Sequence, residues 1–355
     1  MIRIELDELT KHFGGNTVID KLELTVEPGE ILALLGPSGC GKTTTLKLIA
    51  GLLHPDHGDI KFDGSSVLDI PAEKRSAVLV FQEYMLFPHL TVEGNISFGM
   101  KMMGKSSNVR KRRVKELLKL IELEGYEDYR PHQLSGGEKQ RVALARAAAV
   151  NTDVLLLDEP LSNLDTALRE EMQHFIRNIH DCEEMTTIFV THDRDEAMLM
   201  ADRIAVMKNG KIIQCGSPEK IYKYPVNRFT ADFLGPANYI DGYLEDSRLY
   251  IGNNELEICL ENISSSLDYK CEGEVIILLR PEFVSIHRKG EISKKEWIEG
   301  VIVSRKFVGD RIKYKVDLGQ HQFLTVACLS PSEFSEGDYI FLEIDNDNIW
   351  IIEKK

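Results

Sequence analysis

Through the first two-thirds of the chain, apolar residues gather in short unbroken runs that each end at a polar or charged residue. Residues 31–35 (ILALL), 77–81 (AVLVF), 154–157 (VLLL) and 186–191 (TTIFVT) have this form. Runs of this length without alternation predict strands buried on both faces, as in a parallel sheet. Residues 3–26 instead alternate apolar and polar positions around a Gly14-Gly15-Asn16 turn, which predicts antiparallel strands. Helical spacing appears after the first run, over 44–50 with Gly51 as a stop. It returns at Val114, Leu117, Leu118 and Ile121 behind the basic Lys111-Arg112-Arg113, in an Ala-rich stretch capped by Ser135 and ending near Val150, and over 194–201. Hairpins are predicted around Phe62-Asp63-Gly64 and Lys208-Asn209-Gly210. Residues 222–234 read as a connecting helical segment broken at Pro225.

From Gly235-Pro236 the helical pattern stops. About six short apolar runs between turns, at 249–251, 275–279, 300–303, 313–316, 339–342 and 349–351, predict a small β-barrel. The predicted fold is α/β over residues 1–235, with an antiparallel β subdomain and a helical subdomain over about 83–150. A small all-β, OB-like barrel follows over 236–355.

Composition narrows the classes. The 355 residues suffice for two or three domains. The net charge is −14, and from Pro236 onward 14 Lys+Arg stand against 22 Asp+Glu, a net of −8. A nucleic-acid binder needs a basic face and an oligonucleotide-binding barrel a basic groove, so no nucleic-acid partner is expected and the barrel should bind something else or regulate. No apolar run approaches the ~18 residues of a membrane span. MIRIELDELT lacks a signal pattern, so a cytoplasmic place is expected, with any membrane attachment supplied by a partner. Cys40, Cys182, Cys215, Cys259, Cys271 and Cys328 lack CxxC spacing and read as reduced thiols.

The chemistry gathers where the runs end. After 31–35 comes Gly36-Pro37-Ser38-Gly39-Cys40-Gly41-Lys42-Thr43, which fits G-x-x-x-x-G-K-[ST] between a strand and the helix opening at Thr44. Such a loop turns backbone N–H groups and a helix N-terminus toward one point, where a polyphosphate fits. Lys42 would reach the terminal phosphates and the Thr43 hydroxyl would hold Mg²⁺. Cys40 is a thiol whose modification would block nucleotide entry. The run 154–157 ends in Asp158-Glu159. The first carboxylate is placed to orient Mg²⁺ and the second to polarise an attacking water. His192 ends the run 186–191 as a candidate phosphate contact. Gln82 follows 77–81 directly. Ser135 and Glu138 form a capping box, and Gly136-Gly137 would let an anion approach that helix N-terminus. Phe13, taken alone, reads as a half-buried strand aromatic.

Taken together, these pieces resemble the nucleotide-binding subunit of ATP-binding cassette (ABC) transporters. The resemblance rests on the phosphate loop, Gln82 in FQEYMLFPHLTV, LSGGE at 134–138, LLLDEP at 155–160, SNLD at 162–165 and His192 in VTHD, in family order over about 235 residues. It implies that Phe13 stacks on adenine and that residues 36–44 hold the phosphates. Thr43 and Asp158 would serve Mg²⁺, with Gln82 near the metal and the lytic water. Glu159 would be the catalytic carboxylate and His192 the switch residue on the γ-phosphate. Ser135, Gly136, Gly137 and Glu138 would complete the site of a second copy. The implied assembly is a homodimer closing on two ATPs, with transmembrane permease subunits contacting the helical subdomain and an extracytoplasmic solute-binding protein acting indirectly. The chain would then be a peripheral translocase ATPase on the cytoplasmic side of the membrane. Glu138 stands where the family often has Gln. FLGPANYIDG from Phe233 and LLRPEFVSI from Leu278 resemble the accessory (TOBE-like) barrel of importers for sugars, polyamines, ferric iron and oxyanions. Pro236-Ala237-Asn238 departs from the sugar pattern, which favours ferric iron or a small oxyanion, with polyamine or sugar as alternatives. A soluble cassette ATPase outside transport would bring paired cassettes, a coiled-coil arm or zinc modules, and none is present. A non-hydrolysing scaffold would show damage at Lys42, Asp158, Glu159 or His192, and all four are intact.

Overall fold

The computed structural model describes residues 1–353 apart from 84, 151, 163, 246–247, 252–255, 260–272, 289–296, 320–321, 332 and 345–347. Tyr84, Asn163 and Cys271, named above within motifs or among the thiols, lie outside the described residues. The chain divides into two compact units, Met1–Pro218 and Glu219–Lys355.

The first unit holds two sheets. The antiparallel one is formed by β1 (Ile4–Phe13), β2 (Asn16–Val26), β4 (His57–Phe62) and β5 (Ser65–Ser66), in the order β2-β1-β4-β5. Gly14 and Gly15, at φ 53° and 86°, make its first turn. The inward set on β1 runs Ile4, Leu6, then Leu9, because an irregularity at Asp7–Glu8 shifts the register.

The second sheet contains β3 (Ile31–Leu35), β6 (Ala77–Val80), β7 (Val154–Asp158), β8 (Thr186–Thr191), β9 (Arg203–Lys208) and β10 (Lys211–Gly216). Its order is β10-β9-β3-β8-β7-β6. The five strands β6, β7, β8, β3 and β9 run parallel, and β10 closes the edge through an antiparallel hairpin. The four apolar runs of the sequence are thus four adjacent parallel strands. The antiparallel sheet and the helix Lys42–Ile49 cover one side of β3 and β8, and the helix Arg194–Met200 also packs on both, so both strands are buried at every position.

Helices connect the strands: α1 (Lys42–Ile49), α2 (Val92–Met102), α3 (Ser107–Leu120), α4 (Gly136–Ala148), α5 (Thr166–Glu183) and α6 (Arg194–Met200). Sequence periodicity missed α2. Gly94 and Gly99 interrupt its pattern, and its fully buried Asn95 is polar. The Asn95 amide donates to the carbonyls of Phe87, Leu90 and Thr91 and its oxygen accepts from the Phe87 N–H, so it fastens the loop that precedes the helix.

The second unit opens with α7 (Pro218–Lys223) and α8 (Arg228–Leu234). Ten strands follow among the described residues, more than the six apolar runs. They are β11 (Asn238–Glu245), β12 (Arg248–Ile251), β13 (Leu256–Cys259), β14 (Gly273–Leu279), β15 (Val284–His287), β16 (Trp297–Phe307), β17 (Arg311–Gly319), β18 (Gln322–Leu329), β19 (Tyr339–Ile344) and β20 (Trp350–Glu353). They form two five-stranded sheets, β13-β12-β11-β14-β20 and β15-β19-β16-β17-β18, around one apolar core that includes Ile240, Ile277, Tyr314 and Leu342.

Two anchors bind residues 219–235 into this unit. The Trp350 Nε1–H donates to the Pro225 carbonyl at 2.8 Å. The Arg280 guanidinium, 1 % exposed, donates to the carbonyls of Tyr222, Ala231, Gly235 and Pro236. One cation therefore serves the carboxyl ends of two short helices, where carbonyls lack intrahelical partners and the dipole favours positive charge.

Candidate active site

In a parallel sheet the loops beyond the carboxyl ends of the strands converge on one edge. Here β3 ends at Leu35 and runs into residues 36–43. Its neighbour β8 ends at Thr191 and delivers His192, β7 ends at Asp158 and delivers Glu159, and β6 ends at Val80, two residues before Gln82.

The loop after β3 is held by sterics. A Cβ on Gly36 would lie 2.4 Å from the Met207 carbonyl oxygen of β9 and 2.9 Å from Cys40 Sγ. Gly41 has φ 108°, and a Cβ there would meet Ile19 Cδ1 at 2.5 Å. Gly210 in the β9–β10 turn, φ 78°, donates its N–H to the Cys40 carbonyl at 3.0 Å and accepts from the Asp20 N–H at 3.1 Å. Asn209 (φ 49°) and Gly210 supply the left-handed pair that a two-residue hairpin requires.

Lys42 is 6 % exposed. Its Nζ donates to the carbonyls of Gly36 (2.7 Å) and Pro37 (3.0 Å) and, among the described residues, makes no ion pair. A buried ammonium without a carboxylate is a costly arrangement that an incoming anion would relieve. The residues therefore fit a polyphosphate. Cys40 Sγ lies 4.0 Å from Lys42 Nζ, and burial pushes its thiol up, against the opposing pull of that ammonium.

The Thr43 hydroxyl donates to Asp158 Oδ1 at 2.8 Å. Burial raises the Asp158 carboxyl above the ordinary carboxylate range. The Thr43 bond opposes the rise and the Glu159 charge adds to it. A hydroxyl beside a half-buried carboxylate fits Mg²⁺, which takes one or two protein ligands and completes its shell with phosphates and water. Among the described residues no cluster of three or more His, Cys, Asp or Glu side chains could hold a metal ion alone.

Glu159 sits at φ 48°, a left-handed conformation that non-glycine residues adopt only under constraint. Its N–H donates to the Val190 carbonyl at 3.1 Å, and its Oε2 lies 3.2 Å from His192 Nδ1. The two groups form a carboxylate–imidazole pair at the mouth of the site. Gln82 Nε2 donates to Ser162 Oγ at 3.1 Å, and Ser162 Oγ donates to the Glu159 carbonyl at 3.1 Å. Ser162, the first residue of SNLD, thus links Gln82 to Glu159.

The structure brings Lys42, Thr43, Gln82, Asp158, Glu159 and His192 to one edge. Phe13, 43 % exposed at the end of β1, and residues 135–138 have no hydrogen bond or ion pair to that group among the described residues. Ser135 caps α4 as expected: its Oγ accepts from the Glu138 N–H at 3.3 Å, and Glu138 Oε2 accepts from the Ser135 N–H at 2.7 Å. That backbone bond holds the Glu138 carboxyl below its ordinary value. The two glycines differ. A Cβ on Gly136 would meet open space, whereas one on Gly137 would strike Leu168 of α5 at 2.8 Å.

Comparison with known proteins agrees with this geometry. The ABC transporter family model matches residues 19–162, and the TOBE domain model matches residues 277–352. A Fe(3+) ions import ATP-binding protein of Fusobacterium nucleatum is 40% identical over 98% of this chain and 92% of its own length. Its Escherichia coli K12 counterpart is 38% identical over 98% and 97%. A spermidine/putrescine import ATP-binding protein of Aggregatibacter actinomycetemcomitans is 42% identical over 90% and 86%. Among solved structures, the ATP-binding cassette MJ0796, in a dimeric post-hydrolysis state bound to ADP and Pi, superposes with a TM-score of 0.55. It is 30% identical and covers 61% of this chain and 98% of that one. The chain belongs to the family of ABC transporter ATP-binding proteins.

Proposed function

We propose that this chain is the ATP-hydrolysing subunit of a solute importer, acting as a homodimer at the cytoplasmic face of a membrane. The observation that carries the reading is the buried Lys42, without an ion pair among the described residues, together with the Thr43–Asp158 and Glu159–His192 pairs. Lys42 and the amides of residues 36–44 bind the phosphates of ATP, and Phe13 stacks on the adenine. Thr43 and Asp158 would hold Mg²⁺, with Gln82 beside them, and the chemistry it would supply there is charge neutralisation at the phosphates. Glu159 orients a water and takes its proton as the water oxygen attacks the γ-phosphorus; the bond to the bridging oxygen breaks and ADP leaves. His192 holds the γ-phosphate and steadies Glu159. Ser135, Gly136, Gly137 and Glu138 of one copy close on the nucleotide of the other. The expected cassette, 1–235, and accessory barrel, 236–355, follow in this order, with residues 219–235 packed in the unit that carries the barrel.

No helix among the described residues is long and apolar enough to cross a membrane, which fits a peripheral subunit held by permease partners. A groove of about 570 Å³ beside α2 and α3, lined by Met100, Met103, Val109, Arg112, Arg113 and Glu116, supports a permease contact on the helical subdomain. The relatives' names favour ferric iron as the solute and a polyamine second. In the complex reconstituted with permease and binding protein, ferric iron should raise ATP turnover and spermidine should not; the reverse result would transfer the assignment. Glu159→Gln should keep ATP binding, trap the dimer and nearly abolish turnover, and undiminished hydrolysis would remove Glu159 from its role.

A further inference from the structure

A side-chain network outside the assigned site joins two of its turns. Arg169 stands in the first turn of α5, which is capped by Asp165. Its Nη2 donates to the Leu164 carbonyl at 3.3 Å. Its Nη1 lies 3.5 Å from Asp193 Oδ2, and its Nε lies 3.6 Å from Glu196 Oε1. Glu196 is 3 % exposed, and its other oxygen accepts from the Thr191 hydroxyl at 2.5 Å. Thr191 Oγ1 in turn accepts from the Asp193 N–H at 2.9 Å. Both neighbours of His192 are therefore fixed to Glu196 and Arg169, while the His192 side chain itself is 56% exposed. On the other side, Arg169 holds the Leu164 carbonyl, two residues beyond Ser162, which bonds the Glu159 carbonyl and Gln82.

Burying a carboxylate is expensive unless it is paired and hydrogen-bonded. A helix that only had to pack would hold an apolar residue at 196. The position of this charge, between the residue before the histidine and a guanidinium on the next turn, points to alignment. We propose that Arg169 and Glu196 are positioning residues that brace the residues flanking His192 against Leu164, just ahead of α5, so that a shift of either side moves the His192 imidazole relative to Glu159. The inference rests on the hydrolytic reading of the site and adds to it a route by which displacement at Leu164 reaches the γ-phosphate contact.

The test is a mutant cycle in the full chain with Mg-ATP. Glu196→Gln keeps the size of the side chain and its acceptor for Thr191 but removes the charge that Arg169 faces. It should lower kcat about tenfold with KM for ATP within about twofold, because the interaction lost acts in the transition state. The decisive comparison is the His192→Ala background, where a residue acting through the histidine has nothing left to position. There Glu196→Gln and Arg169→Gln should cause less than about a twofold further loss. Arg169→Lys should recover part of the rate that Arg169→Gln loses. Full multiplication of the losses in the double variants overturns the brace, as does an equal rise in KM or unchanged kcat in Glu196→Gln. If Arg169→Gln melts below the assay temperature, the Glu196→Gln pair decides alone. A wild-type chain that does not hydrolyse ATP overturns the functional reading and the brace with it, and is distinct from all these results.

Discussion

Replacing Arg280 with Met keeps the side chain's length and removes its five donors. In the native unit those donors serve four carbonyls, at Tyr222 (3.0 Å from Nη2), Ala231 (3.0 Å), Gly235 (2.9 Å) and Pro236 (3.1 Å). The guanidinium also lies 4.1 Å from the Tyr222 ring centroid. Hydrogen bonds to a charged donor contribute roughly 1.5–3 kcal/mol each, and each carbonyl left dry costs about 1–3 kcal/mol. Part of the loss is offset because the charge is no longer desolvated, which leaves a net cost of about 3–5 kcal/mol. The chain's two tryptophans, Trp297 and Trp350, both belong to Glu219–Lys355. Tryptophan emission therefore reports this unit within the intact protein. With a urea m-value of about 2 kcal/mol per molar, the emission midpoint should fall by about 1.5–2.5 M. Arg280→Lys should fall between, since one ammonium cannot span four carbonyls in fixed directions. A Met variant whose midpoint moves by less than about 0.3 M would show that the carbonyls find other donors, and the anchoring argument would fail.

Other outcomes follow from the phosphate edge. Lys42→Ala should remove ATP binding, and calorimetry that still finds micromolar affinity would contradict the loop's role. Gly36→Ala places a methyl 2.4 Å from the Met207 carbonyl and should cost about 1–3 kcal/mol in the thermal transition. An unshifted transition would mean that β9 gives way. Because burial raises the Asp158 carboxyl, the native state without nucleotide binds its proton more readily than the unfolded chain. This group's contribution therefore favours the fold at pH below the ordinary carboxylate range and turns unfavourable as pH climbs through the raised value. Mg-nucleotide affinity should run the opposite way, rising through the same window, and Asp158→Asn should flatten both slopes in melting and binding titrations.

The parallel edge was legible because burial on both faces leaves no room for alternation, so each strand showed as an unbroken run, and the residues after three of the runs, Gln82, Asp158 and His192, are candidate site residues. Gly36, Gly41, Lys42 and Thr43 were legible for a different reason, that a phosphate cradle needs its residue types at fixed spacing. Where polar groups are buried the signal failed. Asn95 hid α2, and nothing marked Arg280, within LLRPE, or Glu196, within the 194–201 stretch, as buried. Each owes its place to partners four or more residues away, and in the case of Arg280 more than forty, which no local pattern records. Ser162 could have been suspected from its place in SNLD. Its role as the link between Gln82 and Glu159 required β6 and β7 to be neighbours, a fact of topology.

The β9–β10 turn carries a consequence for how tolerance to change is distributed. Gly210 lies 170 positions beyond Cys40 in the sequence, yet its N–H fastens the Cys40 carbonyl and its own carbonyl takes the Asp20 N–H. A Cβ there would press to 2.5 Å on the Val18 carbonyl. A surface hairpin tip ordinarily accepts insertions and side chains freely. This tip is instead a remote part of the nucleotide cradle, and its freedom to vary is set by the loop it supports.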